Sequence, residues 1–206
     1  DALPIYQNIK SMASAVAENK SLKEQVNELK SQSSKDNTLN KEKSKKAEFS
    51  EDQLRVALKQ EIGQGLAEIQ REKDRVIVTV GSAGAFGSGS AKLTKQAKAI
   101  MQKIAKVSGK GAGQVNVSGH TDDVPLIFGG QYRDNWDLAA ARASSVVQEL
   151  SKTNTIPMEK LKAISFGETK PLEQNDSAKG RAKNRRIEIE IKYWYNKLLI
   201  LLKALR

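Results

Sequence analysis

The stretch Gln114-Val115-Asn116-Val117-Ser118-Gly119-His120-Thr121-Asp122-Asp123-Val124-Pro125 alternates apolar and polar residues as far as Gly119 and then turns acidic. The alternation predicts a strand over Gln114–Gly119 with Val115 and Val117 on one face. Asp122 to Asp134, with Pro125 and Gly129-Gly130 inside it, reads as a long loop. Asp134 or Asn135 then caps a helix that opens Asn135-Trp136-Asp137-Leu138. Its Trp136, Ala139, Ala140, Ala143, Val146, Val147 and Leu150 make one buried stripe.

Working outward, Pro157 precedes Leu161 and a strand from Ala163 to Phe166. A polar loop from Gly167 to Gly180 leads to Arg186–Lys192, where Ile187, Ile189 and Ile191 alternate with Glu188 and Glu190 as on a half-exposed strand. Upstream, Arg75–Val80 is a β-branched strand, and Gly81–Gly89 is a glycine-rich loop without the spacing of a phosphate cradle. From Lys92, the residues Leu93, Ala97, Ile100, Met101, Ile104 and Val107 mark an amphipathic helix that stops before Gly109. The predicted order is βαβαββ, an α/β two-layer sandwich on a small mixed sheet, occupying residues 74–192.

The N-terminal part reads differently. Residues 1–48 are a linker with weak coiled-coil character: Ile9, Met12, Val16, Val26 and Leu29 fall near heptad spacing, with Asn19 and Lys23 interrupting the seam. Ser31–Lys46 carries almost no large apolar residue and reads as a flexible spacer. Ser50 with Gln53 resembles a capping box, and Leu54, Leu58, Ile62, Leu66 and Ile69 predict a helix over residues 49–73. Residues 193–206 are an apolar tail, too short to span a bilayer, that could be an interfacial helix, a packing element or an added segment.

Charge excludes one class of function. The chain carries a formal net charge of +11, yet residues 113–192 hold 12 Lys/Arg against 11 Asp/Glu, and aromatics are 5% of the chain. A nucleic-acid interface needs a basic stripe, and for single strands interleaved aromatics, so no nucleic-acid partner is expected. Without cysteine and with a single histidine, His120, neither a thiolate metal site nor a multi-histidine centre can form, and no metal or cofactor is expected.

Ser118, His120 and Asp122 share a strand face and superficially resemble a hydrolytic set, but neighbours on one strand do not also supply an oxyanion hole. No catalytic residue is assigned, and His120 reads as a hydrogen-bonded structural residue. Asp122 and Asp123 point to opposite faces, so one can meet a ligand while the other faces solvent. Arg142 lies off the predicted apolar stripe and, taken alone, is a solvated helix arginine. Arg181, Lys183, Arg185 and Arg186 form a basic cluster that alone reads as a sheet-edge device, with Asn184 as a turn residue. Together, an acid and several guanidinium groups in one small fold suit a ligand with both an amine and a carboxylate.

Five ordered motifs carry a resemblance. They are Phe86-Gly87-Ser88-Gly89-Ser90-Ala91-Lys92-Leu93, Gly119-His120-Thr121-Asp122-Asp123-Val124-Pro125, Asn135-Trp136-Asp137-Leu138 through Arg142-Ala143, Phe166-Gly167-Glu168 with Pro171 and Asn175-Asp176, and Gly180-Arg181-Ala182-Lys183-Asn184-Arg185-Arg186. Over about Leu54–Ile191 the chain resembles the OmpA-like peptidoglycan-binding domain, in the version found in flagellar stator B subunits, MotB and PomB, with wording closest to the sodium-driven branch. Ala139 departs from the serine of many relatives.

The resemblance implies noncovalent binding of the diaminopimelate-containing stem peptide of peptidoglycan, with no bond broken. Asp122 would take the ammonium and Arg142 the carboxylate, and Thr121, Asn135, Arg181 and Arg185 would complete the pocket. It also implies a homodimer in the periplasm, anchored in the inner membrane by a transmembrane helix outside this sequence. A stator A subunit would be a partner, with flagellar ring proteins as further candidates, and the helix over residues 50–73 would be a regulatory element. The competing reading is a general OmpA- or Pal-like protein tethering the outer membrane to the wall.

Overall fold

The computed structural model describes residues 3–87, 89–109, 111–126 and 130–193. The chain divides into two units, 1–42 and 43–206. Helix α1 (Leu3–Ala57) opens the chain. The stretch expected to be a flexible spacer is therefore helical. No glycine or proline interrupts the sequence between Pro4 and Gly63, and the lysines, glutamates, glutamines and leucines interspersed through it are good helix formers. Its hydroxyls fold back on the helix, with Ser31, Ser34 and Thr38 donating to the carbonyls of Glu28, Ser31 and Ser34.

In the second unit, Ala47, Ser50, Leu54 and Leu58 form a helical stripe, and the three apolar members are fully buried in the core. Ser50 is no cap: it sits inside α1 and its hydroxyl bonds that of Tyr193. A short α2 (Lys59–Gly63) follows, and Gly65 at φ +69° ends the helical path. The expected helix to residue 73 gives way to a strand, β1 (Ala67–Glu72), which pairs with β2 (Arg75–Gly81) through a tight turn whose Lys73 has φ +45°. Leu66 and Ile69 satisfy helical spacing, but Ala67 and Ile69 equally satisfy strand alternation, and pairing with Val80 and Val78 decides between them.

Then come α3 (Ser82–Ala85), α4 (Lys95–Ser108), β3 (Ala112–His120), α5 (Asn135–Ser151), β4 (Leu161–Gly167), α6 (Ala178–Asn184) and β5 (Arg186–Tyr193). The sheet order is β1-β2-β5-β3-β4, with β3 and β4 parallel and every other pair antiparallel. The predicted βαβαββ core is present, extended by β1 at one edge and by α6, which lies partly in the expected polar loop. Tyr193 closes β5 and is buried; the rest of the apolar tail, 194–206, lies outside the described residues.

Register builds the core. Ile187, Ile189 and Ile191 of β5 face Val80, Val78 and Val76 on one side and Gly119, Val117 and Val115 on the other. These rows are buried with Ala97, Ile100, Met101 and Ile104 of α4 and Ala143, Val146 and Leu150 of α5. Thr94 caps α4 and Asp134 caps α5, each accepting a hydrogen bond from a first-turn amide. The other sheet face is polar: Glu190 accepts from Arg75 at 2.5 Å and from Asn116 at 2.6 Å.

Candidate binding site

Two elements converge because one residue lacks a side chain. Gly119 stands where β3 crosses α5, and a Cβ there would lie 2.2 Å from the Ala139 carbonyl oxygen. That contact holds the end of β3, with Thr121 and Asp122 just beyond it, close to α5. Gly180 serves the α6 side in the same way, since a Cβ there would lie 2.0 Å from the Gln174 carbonyl oxygen. The meeting place is a cleft of about 740 Å³ lined by Thr121, Asp122, Asn135, Arg142, Arg181 and Arg185, together with Phe86, Leu138 and Tyr132. All six residues singled out in the sequence line this cleft.

Arg142 differs from its sequence reading. It is 5% exposed rather than solvated, because the buried stripe of α5 is rotated from the one expected. Leu138, Ala139, Arg142, Ala143, Val146 and Leu150 face inward, while Trp136 is 44% exposed and Ala140 is exposed. The Arg142 Nε donates to the Ser90 carbonyl at 2.9 Å, and its guanidinium carbon lies 5.1 Å from the centre of the Phe86 ring. Burial, with the nearby Arg185 adding to it, pulls the Arg142 pKa down while Tyr132 and Asp122 oppose; an arginine remains charged under such pulls. Among the described residues no hydrogen bond engages its two terminal nitrogens.

Asp122 is 8% exposed, and its Oδ2 accepts from Arg185 Nη1 at 2.5 Å. The acid is thus already paired, and a cationic ligand group would join this pair at the second oxygen. Asn135 anchors the loop by donating to the carbonyls of Asp122 and Val124, both at 3.2 Å. Thr121 is buried, and its hydroxyl has no partner among the described residues. Arg181 donates to the Asn175 carbonyl at 2.7 Å. One carboxylate against three guanidinium groups leaves the cleft net positive.

Two contributors were missed in the sequence. Phe86 and Ser90 hold Arg142, one through its ring and the other through its carbonyl, although both belong to a quoted motif; the signal was a lone aromatic in a glycine-rich loop. Asn184 does more than turn the chain. Fully buried, it accepts from the amides of Leu172 and Glu173 and donates to the Glu173 carbonyl and the Asn175 side chain, so it pins the loop that Arg181 holds.

His120 faces the polar side of the sheet, buried and stacked on Phe166 with ring centres 5.2 Å apart. It is not the hydrogen-bonded residue expected: neither ring nitrogen has a normal hydrogen bond among the described residues, and Nε2 lies 3.5 Å from Glu188 Oε2. Contact with His120 and with Arg186 holds the Glu188 carboxyl down at about 2 from its usual 4.5, although burial pushes it upward. A depressed carboxyl stabilises the fold fully above its unfolded value and loses that contribution as pH falls through its folded value. Thermal melts should therefore drop between pH 4.5 and 2, and Glu188→Gln should flatten that part of the profile; an unchanged slope would contradict this assignment.

The sequence pattern of the OmpA family matches residues 85–185. The cell wall anchor of the T6SS from Pseudomonas aeruginosa is 33% identical, with a TM-score of 0.63 over 68% of this chain and 96% of that one. The chain belongs to the OmpA family. Within the family, the periplasmic domain of Helicobacter pylori MotB is 28% identical with a TM-score of 0.56, over 68% of this chain and 86% of that structure. Motility protein B of Bacillus subtilis is 29% identical over 125 residues, 60% of this chain and 48% of that protein. The chain spans about half the length of the first curated relatives it matches. No described helix is long and apolar enough to cross a membrane.

Proposed function

We propose that this chain is the wall-binding periplasmic part of a flagellar stator B subunit, which grips peptidoglycan noncovalently and holds the torque-generating unit in place. The observation that carries the reading is Arg142: a buried guanidinium that lines the same cleft as Asp122, with its Nε spent on Ser90 and its terminal nitrogens without a hydrogen-bond partner among the described residues. A buried charge of this kind is costly to maintain without a partner. A stem-peptide residue with a carboxylate for Arg142 and an ammonium for the free oxygen of Asp122 supplies both. Thr121 offers a buried hydroxyl, Asn135 fixes the loop, and Arg181 and Arg185 rim the site. The resemblance to Motility protein B supports the motor context. Pairing as a homodimer, a stator A partner, contact with flagellar ring proteins, inner-membrane anchoring and sodium drive belong to the same proposal and rest on that resemblance.

The test is retention on isolated sacculi. The parent chain should co-sediment, and both Asp122→Asn and Arg142→Ala should be lost to the supernatant while keeping the parent's circular dichroism. If both variants bind like the parent, the site is wrongly placed. A second reading, anchoring of a different envelope assembly, draws on the T6SS wall anchor at 33% identity. Deleting the gene separates the two, since a stator subunit is needed for swimming and a general tether is not.

A further inference from the structure

The basic cluster Arg181–Arg186 is almost wholly neutralised, and its one exception lines the cleft. Lys183 pairs with Glu173 at 2.7 Å, Arg185 with Asp122 at 2.5 Å and Arg186 with Glu188 at 2.7 Å. Arg181 has no carboxylate partner among the described residues, and its only hydrogen bond there runs from Nη1 to the Asn175 carbonyl. Arg142 is in the same condition, with its Nε on the Ser90 carbonyl and no carboxylate beside it. The cleft therefore contains two guanidinium groups without an anion, while its single acid is already taken. The two stand apart, on α6 and α5: the cation that acts on Arg142 is Arg185, and Arg181 is not among the groups that do.

On the stem-peptide reading above, from which this inference starts, a zwitterionic side chain satisfies Arg142 and the free oxygen of Asp122 and leaves Arg181 unmatched. A ligand group of zero net charge does not neutralise one carboxylate set among three guanidinium groups. We propose that Arg181 binds a second carboxylate of the same peptide, the backbone carboxylate of a diaminopimelate that ends the stem. Diaminopimelate carries two carboxylates, and both are free only where no residue follows it. A further residue turns the backbone carboxylate into a neutral amide. A guanidinium grips a carboxylate through two parallel charge-assisted hydrogen bonds, whereas an amide oxygen gives it one uncharged acceptor. The cleft, at about 740 Å³, has room for more than one side chain of a ligand. Arg181 is also held ready: buried Asn184 bonds the amides of Leu172 and Glu173 and the Asn175 side chain, and the Asn175 carbonyl in turn holds Arg181. A donor fixed in advance loses little freedom on binding.

Two synthetic tripeptide stems ending in diaminopimelate test this by calorimetric titration of the whole chain, one with the backbone carboxylate free and one with it converted to the primary amide. The parent should bind the acid about tenfold more tightly than the amide. Arg181→Gln should weaken binding of the acid about tenfold and leave the amide unchanged, whereas a residue that merely holds its loop would weaken both alike. Equal affinity of the parent for acid and amide, or equal weakening of both by Arg181→Gln, overturns the inference and leaves the stem-peptide reading standing. A parent that binds neither peptide overturns that reading as well. The comparison of the two peptides on the parent needs no variant, so it decides the matter even if Arg181→Gln disturbs the fold.

Discussion

Gly119→Ala will cost this protein roughly 3 kcal/mol or more of stability, at the top of the range for overpacked cores. The methyl group would sit 2.2 Å from the Ala139 carbonyl oxygen and 2.8 Å from its carbonyl carbon. Both are backbone atoms in the second turn of α5, so no side-chain rotation can relieve the clash. Either α5 lifts from β3 or the register of β3 between β5 and β4 breaks. Against a typical domain stability of about 5–15 kcal/mol, the lost fraction is large. The melting temperature is the direct measure, and a drop of less than two degrees would show that the two elements can separate freely. Such a lift would also draw Arg142 away from Asp122, since one rides on α5 and the other follows β3. Any surviving folded protein should therefore bind its ligand poorly.

The close approach at Gly119 marks where the sequence stopped being readable. The strands β2, β3 and β5 are legible because Val76 to Val80, Val115 to Val117 and Ile187 to Ile191 alternate cleanly, and one face of each is buried. Nothing local distinguishes Gly119 from a strand-ending glycine. Its role depends on an oxygen twenty residues away in sequence. β1 was hidden for a related reason: a six-residue segment with Ala67 and Ile69 inward fits two periods, and only its partner strand chooses. The helix over Ser31–Lys46 was missed because the segment has almost no large apolar residue to set a period, and its serines, asparagines, aspartate and threonine argue against a helix as strongly as its lysines argue for one.

At the site, residue types were legible and their environment was not. Asp122, Arg142, Arg181 and Arg185 could be picked out as a set, and the structure brings them to one cleft. That Arg142 is buried followed only from the rotation of α5, which the conspicuous Trp136 had misdirected. The pairing of Asp122 with Arg185 could not be read from residues 63 positions apart. It alters the chemistry: in the free protein the acid is held by a neighbour, so under the proposed reading a ligand ammonium would complete a network instead of meeting a lone carboxylate.

That network makes Arg142→Lys the most demanding test of the site, and retention on sacculi should fall by at least about tenfold. Lysine preserves the positive charge, so a purely electrostatic role would survive the change. What it cannot preserve is the division of labour in the guanidinium, where Nε is committed to Ser90 at 2.9 Å and the remaining N–H groups, in a fixed fork, have no partner among the described residues. An ammonium satisfying Ser90 has little left to offer a carboxylate, and it forfeits the stack on Phe86. A hydrogen bond to a charged group contributes roughly 1.5–3 kcal/mol, so losing one already accounts for the expected factor. Because Asp122 and Arg185 do not depend on this contact, the variant should fold and retain their pair. Binding within twofold of the parent would show that Arg142 supplies charge alone, and the carboxylate would then have to be sought at Arg181 or Arg185.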